Sequence, residues 1–259
     1  MRTNKKTHDF ITLTEDFKNL GIKRNDSVLV HSSMKSIGGV AGGADTVLDV
    51  FTAYLAETGN IALPAQSWEA IKLGGAHVVF DPEKEPSCVG ILPEMFRKRP
   101  GVLRSLHPTH SIAIAGKDAE YFVAGEHLVD TPCGRNGCWG KLLDMDFKII
   151  FIGCDMKSNT FLHGVEEWLE VPGRLTEEYQ LLKIIMPDGT VFDRPMRRHH
   201  DKYGGVSERY DRIMPYMEEK NLIIYGKFGD ADCIVAAARD IYEITAALLE
   251  KNINFFGGE

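Results

Sequence analysis

SVLVHSSMKSIGGVAGGADTVLDV, residues 27–50, decides the fold. Its first residues form a short apolar run, the middle is a loop rich in Ser and Gly, and the end opens a helical spacing of Val47 and Leu48 that Phe51 and Leu55 continue beyond it. A continuous apolar run closed by polar residues suits a strand buried on both faces, and strand–loop–helix is the repeating unit of layered α/β domains. Similar runs follow at NIALP (60–64), SIAIAG (111–116), KIIFIG (148–153) and NLIIYG (221–226). Between them the spacing predicts helices over about 44–57, 88–98, 137–145, 161–170 and 208–220. A last one is predicted over 232–250, opened by Asp232 and carrying Val235, Ala238, Ile241, Ile244 and Leu248. QLLKIIMPDGTVFDRPM (180–196) differs: Pro187-Asp188-Gly189 is a turn between two extended arms. The pattern is an α/β layered domain with a mixed sheet and an antiparallel hairpin late in the chain. Without an internal repeat or linker, residues 1–259 are read as one domain, and RRHHDKYGG (197–205) as its most loop-like segment and a candidate flap.

The 259 residues carry 30 Lys and Arg against 37 Asp and Glu, a net charge of −7, with 44% hydrophobic residues. That profile excludes disordered, collagenous and disulfide-scaffold classes. No apolar run approaches the roughly 20 residues of a membrane span. MRTNKKTHDF lacks the apolar stretch of a signal peptide, and five unpaired-looking Cys fit a reducing compartment, so a cytoplasmic location is expected. The acidic balance argues against a nucleic-acid partner and leaves room for a cationic substrate.

Four segments carry candidate chemistry. HSSMKSIGGVAGG, between strand and helix, has glycines for close backbone approach, donor hydroxyls and Lys35. It fits an anion cradle, and equally a plain turn. His31, at the strand end, is either a structural or a catalytic imidazole. RSLHPTHS (104–111) spaces His107 and His110 as a metal pair would be on a helix, but Pro108 forces an extended segment, so no metal is expected. TPCGRNGCWGKL (131–142) reads as a Gly-rich turn anchored by a Trp. In GCDMKSNTFLHGVEEWLE (153–170), Ser158, Asn159 and Thr160 are N-cap residues, so His163 falls in the first turn and Glu166 one turn on, on the same face. The helix N-terminus favours the neutral imidazole and a nearby carboxylate the charged one, a balance that suits a general base. A chance surface His–Glu pair fits the spacing as well.

In order, HSSMKSIGGVAGG, LPAQSW, FDPEKEPSCVGILPEMFRKRPGVLRSLHPTHSIAIAG, TPCGRNGCWGKLLD and FIGCDMKSNTFLHGVEE resemble the aminoglycoside 3-N-acetyltransferase family over about residues 27–170. The resemblance implies a three-layer α/β/α fold around a central mixed sheet and an acetyl-CoA-dependent N-acetyltransferase. Its acceptor would be the 3-amino group of a 2-deoxystreptamine antibiotic, and transfer would be direct. Ser32, Ser33, Lys35, Gly38, Gly39 and Ser111 would contact the cofactor. His163 aligns with the family's catalytic His and Glu166 with its carboxylate, while His31 is a second catalytic candidate and Thr160 an oxyanion donor. Partners would be a small polycationic amine and, as an open option, a second copy of the chain, with no nucleic acid or membrane. Cys138 stands where relatives carry Ser, and beyond residue 170 Glu170, Glu208 and Asp211 are candidates to hold the cation. Four alternatives remain: acylation of a non-antibiotic amine, a CoA-binding module without turnover, a metal hydrolase built on His107 and His110, and a ping-pong route through Cys138 or Cys154.

Overall fold

In the strand Ser27–Ser32, Val28 and Val30 face one side of the sheet and Leu29 the other. In Asn60–Pro64, Ile61 and Leu63 oppose Ala62, and in Lys148–Ile152, Ile150 and Ile152 oppose Ile149 and Phe151. Because side chains alternate along a strand, these runs feed two separate cores, one on each face of a single sheet. The computed structural model describes residues 7–67, 78–200 and 205–257.

In chain order the strands are β1 (Thr7–His8), β2 (Ser27–Ser32), β3 (Gly39–Val40), β4 (Asn60–Pro64), β5 (Val78–Phe80) and β6 (Leu103–Arg104). They continue with β7 (Ile112–Gly116), β8 (Lys148–Ile152), β9 (Gln180–Ile185), β10 (Val191–Met196), β11 (Ile224–Phe228) and β12 (Ala231–Ala237). Seven form a mixed sheet in the order β11-β12-β8-β2-β4-β7-β6, in which β2 runs parallel to both β8 and β4 and the remaining pairings are antiparallel. Helices Phe10–Asn19, Gly43–Leu55 and Ile91–Phe96 cover one face with Leu13, Phe17, Val47, Phe51 and Phe96. Helices Cys138–Asp144, Thr160–Trp168 and Ala238–Lys251 cover the other with Trp139, Phe161, Ile241 and Leu249. Each such side chain, fully buried, contributes roughly 1.5–3 kcal/mol. The three-layer α/β/α architecture is as expected.

The hairpin turns at Pro187–Gly189 and pairs β9 with β10, but it builds a separate three-stranded sheet, β10-β9-β5, beside the central one. The last predicted helix is corrected. Residues 231–237 form strand β12, paired with β8 through Val235↔Ile150, and the helix begins only at Ala238. β-branched Ile234 and Val235 gain more from alternate burial beside β8 than from a helical turn. The strand expected at 221–226 correspondingly shifts to Ile224–Phe228 as its hairpin partner. The sequence reading passed over the helix Phe10–Asn19, although Asp9 and Thr12 form a capping box at its start. No helix among the described residues is long and apolar enough to cross a membrane.

Candidate active site

β2 and β8 lie side by side and parallel, yet the chain leaving β2 enters the helix Gly43–Leu55 on one face and the chain leaving β8 enters Thr160–Trp168 on the opposite face. Divergence of this kind opens a crevice at the carboxyl ends of the strands. A cavity of about 300 Å³ sits there, walled by His31 and Ser32 from β2, Gln66 beyond β4, and Lys157, Thr160 and His163 beyond β8.

His163 is held from behind. Its Nδ1 lies 2.7 Å from the Tyr210 hydroxyl, which donates to Glu166 Oε2 at 2.7 Å, while Arg174 Nε donates to Glu166 Oε1 at 2.7 Å. The pairing expected between His163 and Glu166 is therefore relayed through a phenol. A hydroxyl has one proton, and here the carboxylate takes it, so Tyr210 accepts from His163 Nδ1–H. That tautomer leaves the lone pair on Nε2 of an imidazole that lines the cavity. Burial, then His199 and Arg174, holds His163 well below the ordinary imidazole range, so it is neutral and able to accept a proton. Burial also raises Glu166, against the pull of Arg174 and Tyr210.

Thr160 opens its helix, and its hydroxyl accepts from Gln66 Nε2 at 3.0 Å, which leaves its own proton to donate. Asn159, at the N-cap, makes no side-chain cap bond, so the first N–H groups of this nine-residue helix are not capped from the side chain. His31 stacks on Phe151 at 5.2 Å, and burial holds it down to about 3. Among the described residues its Nε2 and the Ser32 hydroxyl are buried without partners, both in cavity-lining residues. Unpaired buried polar atoms are costly, and a ligand rich in amides and carbonyls would satisfy them.

The other expected contacts lie elsewhere. Ser33 Oγ accepts from Ser36, Lys35 is exposed, and Gly38 and Gly39 follow around the same loop, outside the cavity wall. Gly38 adopts φ +87°, and a Cβ there would meet Asp230 Oδ2 at 2.2 Å. Ser111 is fully buried, donating to Ala65 O and accepting from Arg104, and it does not line the cavity. Glu170 and Glu208 are exposed away from the cavity wall, while Asp211 lies 3.7 Å from Lys157. Of RRHHDKYGG, residues 201–204 lie outside the described residues, as does Trp68 of LPAQSW.

Neither cysteine suits a nucleophile. Burial raises Cys138 well above the ordinary thiol range and Cys154 to about 11, so both stay protonated. His107 does not pair with His110 around an ion: its Nε2 meets Thr131 O at 3.0 Å, and its Nδ1 accepts the backbone N–H of Thr109 and His110. Among the described residues, donor atoms come within 4.8 Å of one another at Cys133, Glu167 and His199, already joined by hydrogen bonds from Cys133 N and His199 Nε2 to Glu167 Oε1.

Sequence reasoning did not single out Tyr210, Arg174, Gln66, His199 or Glu167. The doublet His199-His200 carried a signal, since paired histidines in a polar loop often serve a titratable or ligating role. Nothing local marked Tyr210 or Arg174.

The fold and the crevice define a layered α/β protein with a cavity at a strand-end switch point. The sequence profile described as aminoglycoside 3-N-acetyltransferase matches residues 29–250, and the chain belongs to that family of transferases. It is similar to aminoglycoside N(3)-acetyltransferase VII of Streptomyces paromomycinus, 28% identical over 93% of this chain and 91% of that one. The SPbeta prophage-derived aminoglycoside N(3')-acetyltransferase-like protein YokD of Bacillus subtilis is also 28% identical, over 86% and 85%. Among solved structures, AAC-IIIb in a binary complex with CoASH superposes with a TM-score of 0.83 at 23% identity, covering 95% of this chain and 97% of that one. A mutant of aminoglycoside acetyltransferase AAC(3)-IVa in complex with a gentamicin gives 0.84 at 22%, covering 100% and 94%.

Proposed function

We propose that this protein transfers an acetyl group from acetyl-CoA to the 3-amino group of a 2-deoxystreptamine aminoglycoside, with His163 as general base. The observation that carries the reading is the His163–Tyr210–Glu166 relay, which leaves Nε2 unprotonated on a ring that lines the cavity. CoASH and a gentamicin bound to proteins of the same fold support the pair of substrates.

The co-substrate supplies an activated acyl carbon and a thiolate leaving group. Ser32 and His31 would hold its thioester end. The cavity is at the small end for ligand pockets, suited to the reacting termini of two long molecules. His163 Nε2 takes a proton from the amine as its nitrogen bonds to the carbonyl carbon. Thr160 and the first N–H groups of its helix stabilise the oxyanion. As the carbon–sulfur bond breaks, His163 returns the proton to sulfur, so an amine and a thioester become an amide and a thiol. The single domain expected over residues 1–259 is part of this proposal.

A second reading, transfer to a different amine, is favoured by the charge of the wall: among the described residues lining the cavity the charged group is Lys157, and Glu170 and Glu208 stand outside. The test is CoA thiol release from acetyl-CoA across aminoglycosides and simple amines, beside His163→Ala. Release that requires a 2-deoxystreptamine compound and disappears in the variant is the expected result. Release with simple amines alone moves the acceptor to the second reading. Turnover that survives in His163→Ala removes the base assignment.

A further inference from the structure

A second His–Glu pair lies against the first. The His199 ring stacks on His163, with centroids 4.5 Å apart and planes 28° from parallel, and His110 meets His199 edge-on at 4.9 Å. His199 Nε2 lies 2.6 Å from Glu167 Oε1, and Glu167 is 3% exposed. The same oxygen accepts the Cys133 N–H at 3.0 Å, while Oε2 is buried with no hydrogen-bond partner among the described residues. A buried, half-satisfied carboxylate is an expensive way to fill space, since an apolar or amide side chain would fit at less cost. Its position explains it: it fixes one imidazole flat against another, and that other faces the cavity.

We infer that His199, oriented by Glu167, is a positioning residue for acetyl transfer: its neutral ring fixes the plane of His163, and the Glu167 carboxylate behind that ring supports the positive charge that His163 gains with the amine proton. The inference rests on the reading of His163 as the base. An imidazolium over the face of a ring hydrogen-bonded to a carboxylate is favoured electrostatically. Other charged or titratable groups around His163 come from every side. Tyr210 and Arg209 belong to the 3₁₀ helix Val206–Ile213, Glu166 to its own helix and Arg174 to the loop beyond; His31 and Lys157 stand on the cavity wall. Burial raises Glu167 to about 7, against the Thr131 hydroxyl, the Cys133 N–H and the charges of His107 and Arg197, and lowers His199, so the hydrogen-bonded pair changes its charge near neutrality. Glu167 is ionised above that pH, where it supports the charge on His163, and neutral below it, where the support is lost.

The test compares the wild-type chain with Glu167→Gln and His199→Phe by ring-nitrogen NMR titration, which needs no acceptor, and by kcat against pH. In the wild type, the His163 and His199 signals should shift together near pH 7, and kcat should rise through the same pH. Glu167→Gln should lose both steps, and its kcat above pH 7 should fall roughly tenfold, less than the roughly 10²–10⁴ that loss of a general base costs. KM values should stay within about twofold, because the ring acts through His163 rather than on substrate. His199→Phe keeps a flat ring without the hydrogen bond and should behave as Glu167→Gln does. Unchanged titrations and kcat in both folded variants, with His163→Ala inactive, would overturn the inference. If His163→Ala keeps its turnover, the base reading falls first and this one with it.

Discussion

Two neighbouring strand–loop–helix units meet at the crevice, and they are built in opposite ways. Beyond β2 the chain runs through a long Ser- and Gly-rich loop, with Gly38 and Gly42 at φ +87° and +80°, into the helix Gly43–Leu55. It offers backbone, hydroxyls and an exposed Lys35. Beyond β8 the loop is shorter and fixed by side chains: Asp155 accepts from Lys157 N, and the helix that follows carries His163, Glu166 and Glu167 on buried or half-buried positions. The first unit is suited to gripping an extended polar ligand, and the second to holding titratable groups in a low-dielectric setting where their proton affinities move. The proposed chemistry resides in the unit that packs.

The sharpest way to break this contrast is to strike each unit once and read turnover and binding separately. His163→Ala should lower kcat by roughly 10²–10⁴ while acetyl-CoA affinity, read by calorimetry, stays within about twofold. Tyr210→Phe keeps the ring but leaves His163 Nδ1 and Glu166 Oε2 without their shared partner. It should cost about 1–3 kcal/mol in denaturant unfolding and a large part of kcat, with KM little changed. Gly153→Ala attacks the seam between the two loops. Gly153 has φ +65°, its carbonyl accepts from Ser36, and a Cβ would meet Ser36 Cβ at 2.2 Å. Strain of about 1–3 kcal/mol should appear in the melting temperature, with binding and turnover impaired together. The smallest effect belongs to Lys35→Ala, expected to weaken acetyl-CoA binding a few-fold in a salt-dependent way and to leave kcat alone. Acetyl-CoA affinity and salt dependence unchanged from the wild type would detach Lys35 from the cofactor.

Much of the frame was legible because burial on both faces of a sheet leaves an unmistakable run of apolar residues. SVLV, NIALP and KIIFI are strands where they were expected, and His163 does fall near the start of its helix. β12 was misread because Asp232 imitates a helix start, and a short apolar run cannot declare its period; the decision came from pairing with β8, distant in sequence. The relay failed for a related reason. Spacing of three puts Glu166 on the face of His163, but the sequence cannot say that a tyrosine from residue 210 enters between them.

By itself, then, the sequence determined the layers, the ordered loops and the place of His163 near a helix start, since periodicity, glycine and capping residues act over a few positions; resemblance to the family singled out its imidazole. Only the tertiary structure decided which groups surround that imidazole. Tyr210 and His199 arrive from segments far along the chain, and Arg174 folds back from the loop after the helix. Their roles depend on burial and on distances of a few ångströms, which no local pattern encodes.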